Sequence, residues 1–272
     1  VTTEDLSWAP ADVDLNRPNA ARVYDYYLGG GCNFDIDREF GNQMIKVLPE
    51  IREAARLNRG FLRRAVRYCA EQGIDQFLDL GAGIPTVGPT HEVASRVQPH
   101  SRVVYVDNEA VAVAHGRLLL EDNDNAAILQ ADLCTPQDVL RASETGRLID
   151  FSRPVAVMLI ALLHFVPENE EAARVVAQYR DVLPEGSYLI LAHGTTEGQM
   201  GSRTQDAVQQ YQQTSTPVYL RDRAEVQSLF DGFELVEPGL VFTPEWRPED
   251  PDDVGDSPDR SAQLAGVGRK IG

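Results

Sequence analysis

Cysteine is scarce in this chain: Cys32, Cys69 and Cys134 are the only three in 272 residues, far apart and odd in number. They match neither a disulfide framework nor the paired spacing of a zinc site, which points to a reducing, cytoplasmic setting. Long apolar runs are also missing. The longest, 155–166, is interrupted by His164 and is too short to cross a bilayer. The N-terminal residues lack the charged-then-apolar pattern of a secretion signal, so a soluble protein with no membrane partner is expected. Positive charge is in deficit, with 25 Lys and Arg against 42 Asp and Glu, a net −17. A broad hold on nucleic acid rests on neutralising phosphates with basic side chains, so that class of function is disfavoured. No internal repeat is visible.

What is present reads as an ordinary globular composition, 43% hydrophobic and 25% charged, enough for a sizeable core. The organising stretch is Phe77-Leu78-Asp79-Leu80-Gly81-Ala82-Gly83-Ile84-Pro85. An apolar run that breaks into two glycines predicts a buried parallel strand ending where backbone must approach a ligand. Downstream, Val103-Val104-Tyr105-Val106-Asp107 is a second short strand ending in a carboxylate, at the distance one helix and one strand require. In a doubly wound sheet such a carboxylate lies beside the glycine turn and accepts both hydroxyls of a ribose. Gly81-x-Gly83 lacks the third glycine of a dinucleotide fingerprint, which weighs against a nicotinamide or flavin cofactor.

Around these anchors the periodicity predicts strands at 75–80, 102–106, 126–130, 153–163 and 187–193, alternating with helices. Such alternation specifies an α/β sheet. Residues 1–72 read as an arm and a helical cap, 73–246 as the cofactor-binding domain with a polar insert or lid at 195–216, and 247–272 as a solvated acidic tail. Strands at 233–236 and 240–243, joined through Pro238-Gly239, predict a terminal antiparallel hairpin. A row of arginines at 52, 56, 59, 63, 64 and 67 reads chiefly as a solvated helix face, with an anionic-partner surface as the alternative. The run Arg22 to Phe34 carries alternating aromatics and charges into Gly29-Gly30-Gly31. It reads either as a helix stop and loose loop or as a lid facing a cofactor.

The segments 77–83, 104–108 and Ala131-Asp132-Leu133 together resemble the class I S-adenosylmethionine-dependent methyltransferases. More closely, Arg22-Val23-Tyr24-Asp25-Tyr26-Tyr27-Leu28-Gly29-Gly30, Gly83-Ile84-Pro85-Thr86, Thr90-His91-Glu92-Val93-Ala94 and Leu163-His164-Phe165-Val166-Pro167 resemble an actinobacterial-type methyltransferase family first catalogued as a domain of unknown function. The resemblance implies a Rossmann-like, mostly parallel seven-stranded sheet with an antiparallel C-terminal hairpin and S-adenosyl-L-methionine as cofactor.

Position by position, the resemblance implies that Gly81, Ala82 and Gly83 approach the methionine portion and that Asp107 accepts the ribose hydroxyls. Asn108 would lie beside the adenine, Asp132 would accept from its amino group, and Leu133 would pack on the ring. Ala161 and Leu162 would border the methyl-transfer pocket, while the loop bearing Arg22, Tyr24, Gly29 and Asn33 would close over the cofactor, with Arg22 on its carboxylate. The general class pattern has a further glycine where this chain has Pro85.

Methyl transfer needs alignment more than covalent help, so a base is optional. His164, at a strand exit, is the candidate base; the alternative is that it only fills or hydrogen-bonds the strand end. His193 has the weaker claim, and no metal ligand set is apparent. The expected function is methyl transfer to a small-molecule acceptor. The alternatives are a non-catalytic S-adenosylmethionine sensor or, further off, an NAD-dependent oxidoreductase.

Overall fold

The computed structural model describes residues 13–85, 88–198, 201–212, 214 and 216–272. The first twelve residues of the expected arm and Thr86 of the glycine-turn motif lie outside the described residues. Three helices come first: α1 (Ala20–Leu28), α2 (Asp35–Val47) and α3 (Ile51–Glu71). Asn19 caps α1, its side chain accepting from the Ala21 amide, and Gly29 ends it in the left-handed region at φ 83°, where a Cβ is disfavoured.

The alternating part then runs β1 (Gln76–Leu80), α4 (Thr90–Ser95), β2 (Arg102–Asp107), α5 (Ala110–Leu119), β3 (Ala126–Gln130), α6 (Pro136–Arg141), α7 (Ser143–Leu148) and β4 (Ala156–Ile160). After a 3-10 turn at Leu163–Phe165 come α8 (Asn169–Arg180), β5 (Tyr188–Gly194), α9 (Gly201–Tyr211), α10 (Arg223–Ser228), β6 (Phe233–Leu235), β7 (Val241–Phe242) and β8 (Gln263–Lys270). The sheet order is β3-β2-β1-β4-β5-β8-β6, with β7 also on β8. Strands β1 to β5 are mutually parallel, whereas β8 runs antiparallel to β5, β6 and β7.

Period-two alternation divides each central strand between two core layers. Phe77, Val103 and Tyr105 face the α3 side with Phe61 and Leu62; Leu78, Leu80, Val104 and Val106 face the α8 side with Val175 and Val176. All five residues of β1 and of β4 are buried, as central parallel strands require. The expected fourth strand, 153–163, is shorter at both ends. Its exit is cut off by Ala161, which adopts φ 53°.

The C-terminal expectation needs correction. The segments at 233–235 and 241–242 do not pair with each other; both lie along β8, as two pieces of one edge lane. The segment 247–272 is correspondingly not a solvated tail throughout, because β8 makes seven pairings with β5. Leu264, Ala265 and Val267 of β8 are completely buried. Its glycines allow close approach: a Cβ on Gly268 would stand 2.7 Å from the Phe233 Cβ.

The arginine row on α3 is likewise not a purely solvated face. Arg64 donates to the Trp246 and Thr243 carbonyls at 2.8 and 2.7 Å, and Arg67 pairs with Glu249 at 2.6 Å, so the helix clamps the segment that leads to β8. Among the described residues no helix is long and apolar enough to cross a membrane.

Candidate active site

The carboxyl ends of β1, β2, β3 and β4 open into one cavity of about 450 Å³, walled on the other side by α1, α2, α3 and α9. Gly81 and Gly83 leave β1 with φ of 66° and 62°, which favours glycine at both positions. A Cβ on Gly81 would sit 2.3 Å from Leu162, whereas the Cβ direction of Gly83 meets nothing within 4 Å. The first glycine permits packing of the β4 exit against the turn; the second leaves open space.

Asp107 holds the other end of this floor. Its Oδ2 accepts the Gly83 amide at 2.7 Å and its Oδ1 accepts the Glu109 amide at 2.9 Å, so the glycine turn and the β2 carboxylate are directly joined. Burial raises the Asp107 pKa, and the amides from Glu109, Gly83 and Asn108 oppose that shift. A carboxylate has about four acceptor sites, so lone pairs remain beside these amide bonds to accept hydroxyls.

Further along the rim, Asn108 and Asp132 are exposed, and Asp132 Oδ1 accepts the Cys134 amide at 2.8 Å, which orients its loop. Leu133 and the left-handed Ala161 complete this side with Leu162. Thus Gly81, Ala82, Gly83, Asp107, Asn108, Asp132, Leu133, Ala161, Leu162, His164 and Tyr24 all stand on the cavity wall.

Arg22, Gly29 and Asn33 do not. The Arg22 guanidinium is 1% exposed and committed elsewhere: Nε donates to Asp37 at 2.9 Å, Nη1 to Glu109 at 3.1 Å, and Nη2 to the Asp14 and Arg17 carbonyls. This corrects its expected role on the cofactor carboxylate, because the donors are already used within the fold. Asn33 donates to Asp25 Oδ2 and to the Gly30 carbonyl, both at 2.9 Å. The Cys32 amide also donates to Asp25, and a Cβ on Gly30 would lie 2.0 Å from its Oδ1. The triple glycine wraps a buried carboxylate instead of facing the cavity.

His164 is on the wall with an unpartnered, sealed Nδ1. Burial, then His193 and Arg221, push its pKa down to about 3. At neutral pH it is an uncharged imidazole whose conjugate acid is far from the pH at which general-base catalysis is efficient. It offers a hydrogen bond, not a ready proton acceptor. His193 is fully buried and used: its Nδ1 meets the Gly194 carbonyl at 2.6 Å and its Nε2 meets Arg221 at 2.8 Å. Burial foremost depresses its pKa to about 4. Arg221 also donates to the Leu163 and Val166 carbonyls, fixing the turn that carries His164.

Two charged groups on the wall were not among the expected site residues. Asp79 accepts from the Thr90 hydroxyl at 2.7 Å, and burial lifts its pKa to about 6 while Thr90 and Arg59 hold it down. Arg59, on α3, is 8% exposed and makes no hydrogen bond or ion pair with a described residue; its Nε is buried without a partner. A signal for it existed in the sequence. Positions 55, 59, 62 and 66 share one helical face, and the other three are Ala55, Leu62 and Val66, all buried. An arginine within an apolar stripe is unlike its neighbours on the outer face. Tyr27 and Tyr211, whose hydroxyls are 3.4 Å apart, were missed as well, because only tertiary packing brings α1 and α9 together.

Comparison with known proteins follows the same geometry. Residues 6–271 match the profile of the family described as S-adenosyl methyltransferase, Methyltransf_19. The crystal structure of a "putative methyltransferase" from Thermobifida fusca YX is 42% identical, with a TM-score of 0.91 over 97% of this chain and 99% of that one. A DUF574 family protein from Streptomyces avermitilis MA-4680 is 37% identical, with a TM-score of 0.89 over 94% and 98% of the two chains. No curated protein matches the chain.

Proposed function

This chain belongs to the S-adenosyl methyltransferase family and is an S-adenosylmethionine-dependent methyltransferase; from that premise we propose a small-molecule acceptor and a division of labour along the cavity wall. The single observation that supports the placement is the 2.7 Å bond from the Gly83 amide to Asp107, which makes the two strand ends one floor. The residues present fit the cofactor. Asp107 retains acceptor capacity for a ribose, Gly83 leaves open space above the turn, and Asp132 with Leu133 offers an acceptor and an apolar surface for a base.

When bound, S-adenosylmethionine supplies a methyl group already activated on a sulfonium. The chain's own contribution is to hold, orient and dry the site. Beyond Leu162 the wall is apolar, formed by Tyr27, Met44 and Leu48 of the cap and by Ala207, Val208 and Tyr211 of α9. Such a chamber shields a small acceptor from water. His164, neutral at physiological pH, orients the acceptor through a hydrogen bond without removing its proton. The net charge of −17 disfavours nucleic acid as the acceptor.

Calorimetry with S-adenosylhomocysteine, followed by incubation with methyl-labelled cofactor and separate metabolite, protein and nucleic-acid fractions, tests this reading. Label is expected in the metabolite fraction. Label confined to protein or nucleic acid would overturn the small-molecule acceptor, and no cofactor binding by folded protein would remove the placement.

A further inference from the structure

The two relatives and the family profile leave open which side chain holds the amino-acid end of the methyl donor. We propose that Arg59 is that residue, binding the donor's carboxylate, with Asp79 the complementary charge for its ammonium; the proposal rests on the methyl-donor reading of the cavity. Both side chains are on the cavity wall and both are buried, at 8% and 4% exposure. They carry opposite charges yet form no ion pair with each other.

The sealed Nε of Arg59 lacks a partner among the described residues; a buried donor left so is costly, and structures rarely keep one unless something else satisfies it. The fold shows how it treats an arginine meant for its own use. Arg22 is equally buried and has Asp37, Glu109 and two carbonyls around it. Among the described residues Arg59 has no such partner. Its near neighbours on the wall are the Tyr24 hydroxyl, already donated to the Ala55 carbonyl at 3.1 Å, and Asn58, whose Nδ2 donates to Tyr24. Neither is an anion.

Position selects the ligand group. Arg59 is close enough to Asp79 to act on it electrostatically, and Asp79 is two residues before the first glycine of the turn. This is the β1 end of the floor. The carboxylate that would hold a ribose is at the β2 end, and the Asp132 rim is at β3 beyond it. A donor lying along the floor with its ribose on Asp107 therefore carries its α-amino acid to the β1 end. That group is a zwitterion, one anion and one cation on a single carbon, the complement of two unpaired opposite charges. A planar guanidinium grips a carboxylate through two parallel bonds.

The test is calorimetric and does not depend on turnover. Wild-type protein and Arg59→Met are titrated with S-adenosylhomocysteine, with its decarboxylated aminopropyl counterpart, and with methylthioadenosine, which lacks the amino acid altogether. Wild type is expected to bind S-adenosylhomocysteine on the order of 10- to 100-fold more tightly than the decarboxylated compound, the usual range for a charge-assisted pair. Arg59→Met is expected to lose that preference while its affinity for methylthioadenosine stays within about twofold. If Arg59→Met has no cooperative unfolding transition, Arg59→Lys replaces it; the charge remains, the fork is lost, and part of the preference should remain.

Equal wild-type affinity for the carboxylated and decarboxylated compounds overturns the proposal. So does a parallel loss of methylthioadenosine binding in the variant, which would place Arg59 at the nucleoside end or in the fold. Unchanged S-adenosylhomocysteine affinity with lost methyl transfer would assign Arg59 to an anionic acceptor instead. Wild type that binds neither S-adenosylhomocysteine nor methylthioadenosine would remove the donor reading itself, a separate outcome.

Discussion

Arg22 on α1 and Arg59 on α3 are both withdrawn from water, at 1% and 8% exposure, yet the regions around them are built in opposite ways. Around Arg22 the donors meet acceptors from Asp14, Arg17, Asp37 and Glu109, and the neighbouring loop folds its glycines over Asp25. Around Arg59 no acceptor among the described residues is spent, and the cavity lies open beside it. The first arrangement holds the cap to the sheet domain. The second leaves binding capacity unused by the fold. Burial alone does not separate a structural charge from a ligand-binding one; the count of satisfied donors does.

The sharpest way to break this comparison is Arg22→Met. Removing one partner from a buried pair strands the Asp37 carboxylate, which is 0% exposed, and should cost about 3–5 kcal/mol in denaturant-measured stability. Weakened cofactor binding at unchanged stability would reverse the two roles. Next in size is Asp107→Asn, which should weaken S-adenosylhomocysteine binding by about 2 kcal/mol or more, as a charge-assisted acceptor becomes a neutral amide. Unchanged affinity by calorimetry would mean the ribose is elsewhere.

The glycine loop gives a smaller and more local contrast. Gly30→Ala places a Cβ within 2.6 Å of three carboxylate atoms of Asp25 and should destabilise by about 1–3 kcal/mol. Gly31→Ala meets nothing within 4 Å and should change stability by no more than about 0.5 kcal/mol. Equal urea midpoints for the two variants would show that the loop is not wrapped around Asp25.

The last prediction concerns pH. His164, with its pKa lowered to about 3, and His193, lowered to about 4, stay neutral in the native state while the unfolded chain takes up protons near the ordinary histidine value. Their stabilisation is therefore complete above that value, declines as pH falls below it, and the loss levels off only at the native pKa values. Asp79 acts in the other sense. Raised to about 6, it keeps a proton that the unfolded chain releases, so acidification from 6 towards 4 restores some stability. Replacing His164 with Gln should flatten the acid-side loss by at most about 1.4 kcal/mol per pH unit, read from urea midpoints between pH 7 and 5. An unchanged slope would mean His164 already titrates normally.

Legibility followed the range of the interactions. The first three strands and their helices were readable because alternation, glycine and a terminal carboxylate are local features, and β2 and β3 begin and end within a residue of expectation. Strand β8 was not readable. Its Gly266 and Gly268 look like breaks until Phe230 and Phe233 are seen packed against them. The site divides similarly. Asp107 and the glycine turn announced themselves, but Arg22 was placed on the cofactor because a charged residue in a distinctive motif gives no sign that Asp37 and Glu109 will occupy it.

By itself the sequence determined the first five strands, the glycine turn and the carboxylates at the strand ends, since each depends on neighbours a few positions away. Tertiary structure alone decided where β8 enters the sheet and how α1, α2, α3 and α9 enclose the cavity. It also decided which buried arginine still has hydrogen bonds to give. Those outcomes depend on which distant groups meet, and a free donor can be recognised only once every acceptor within reach has been placed.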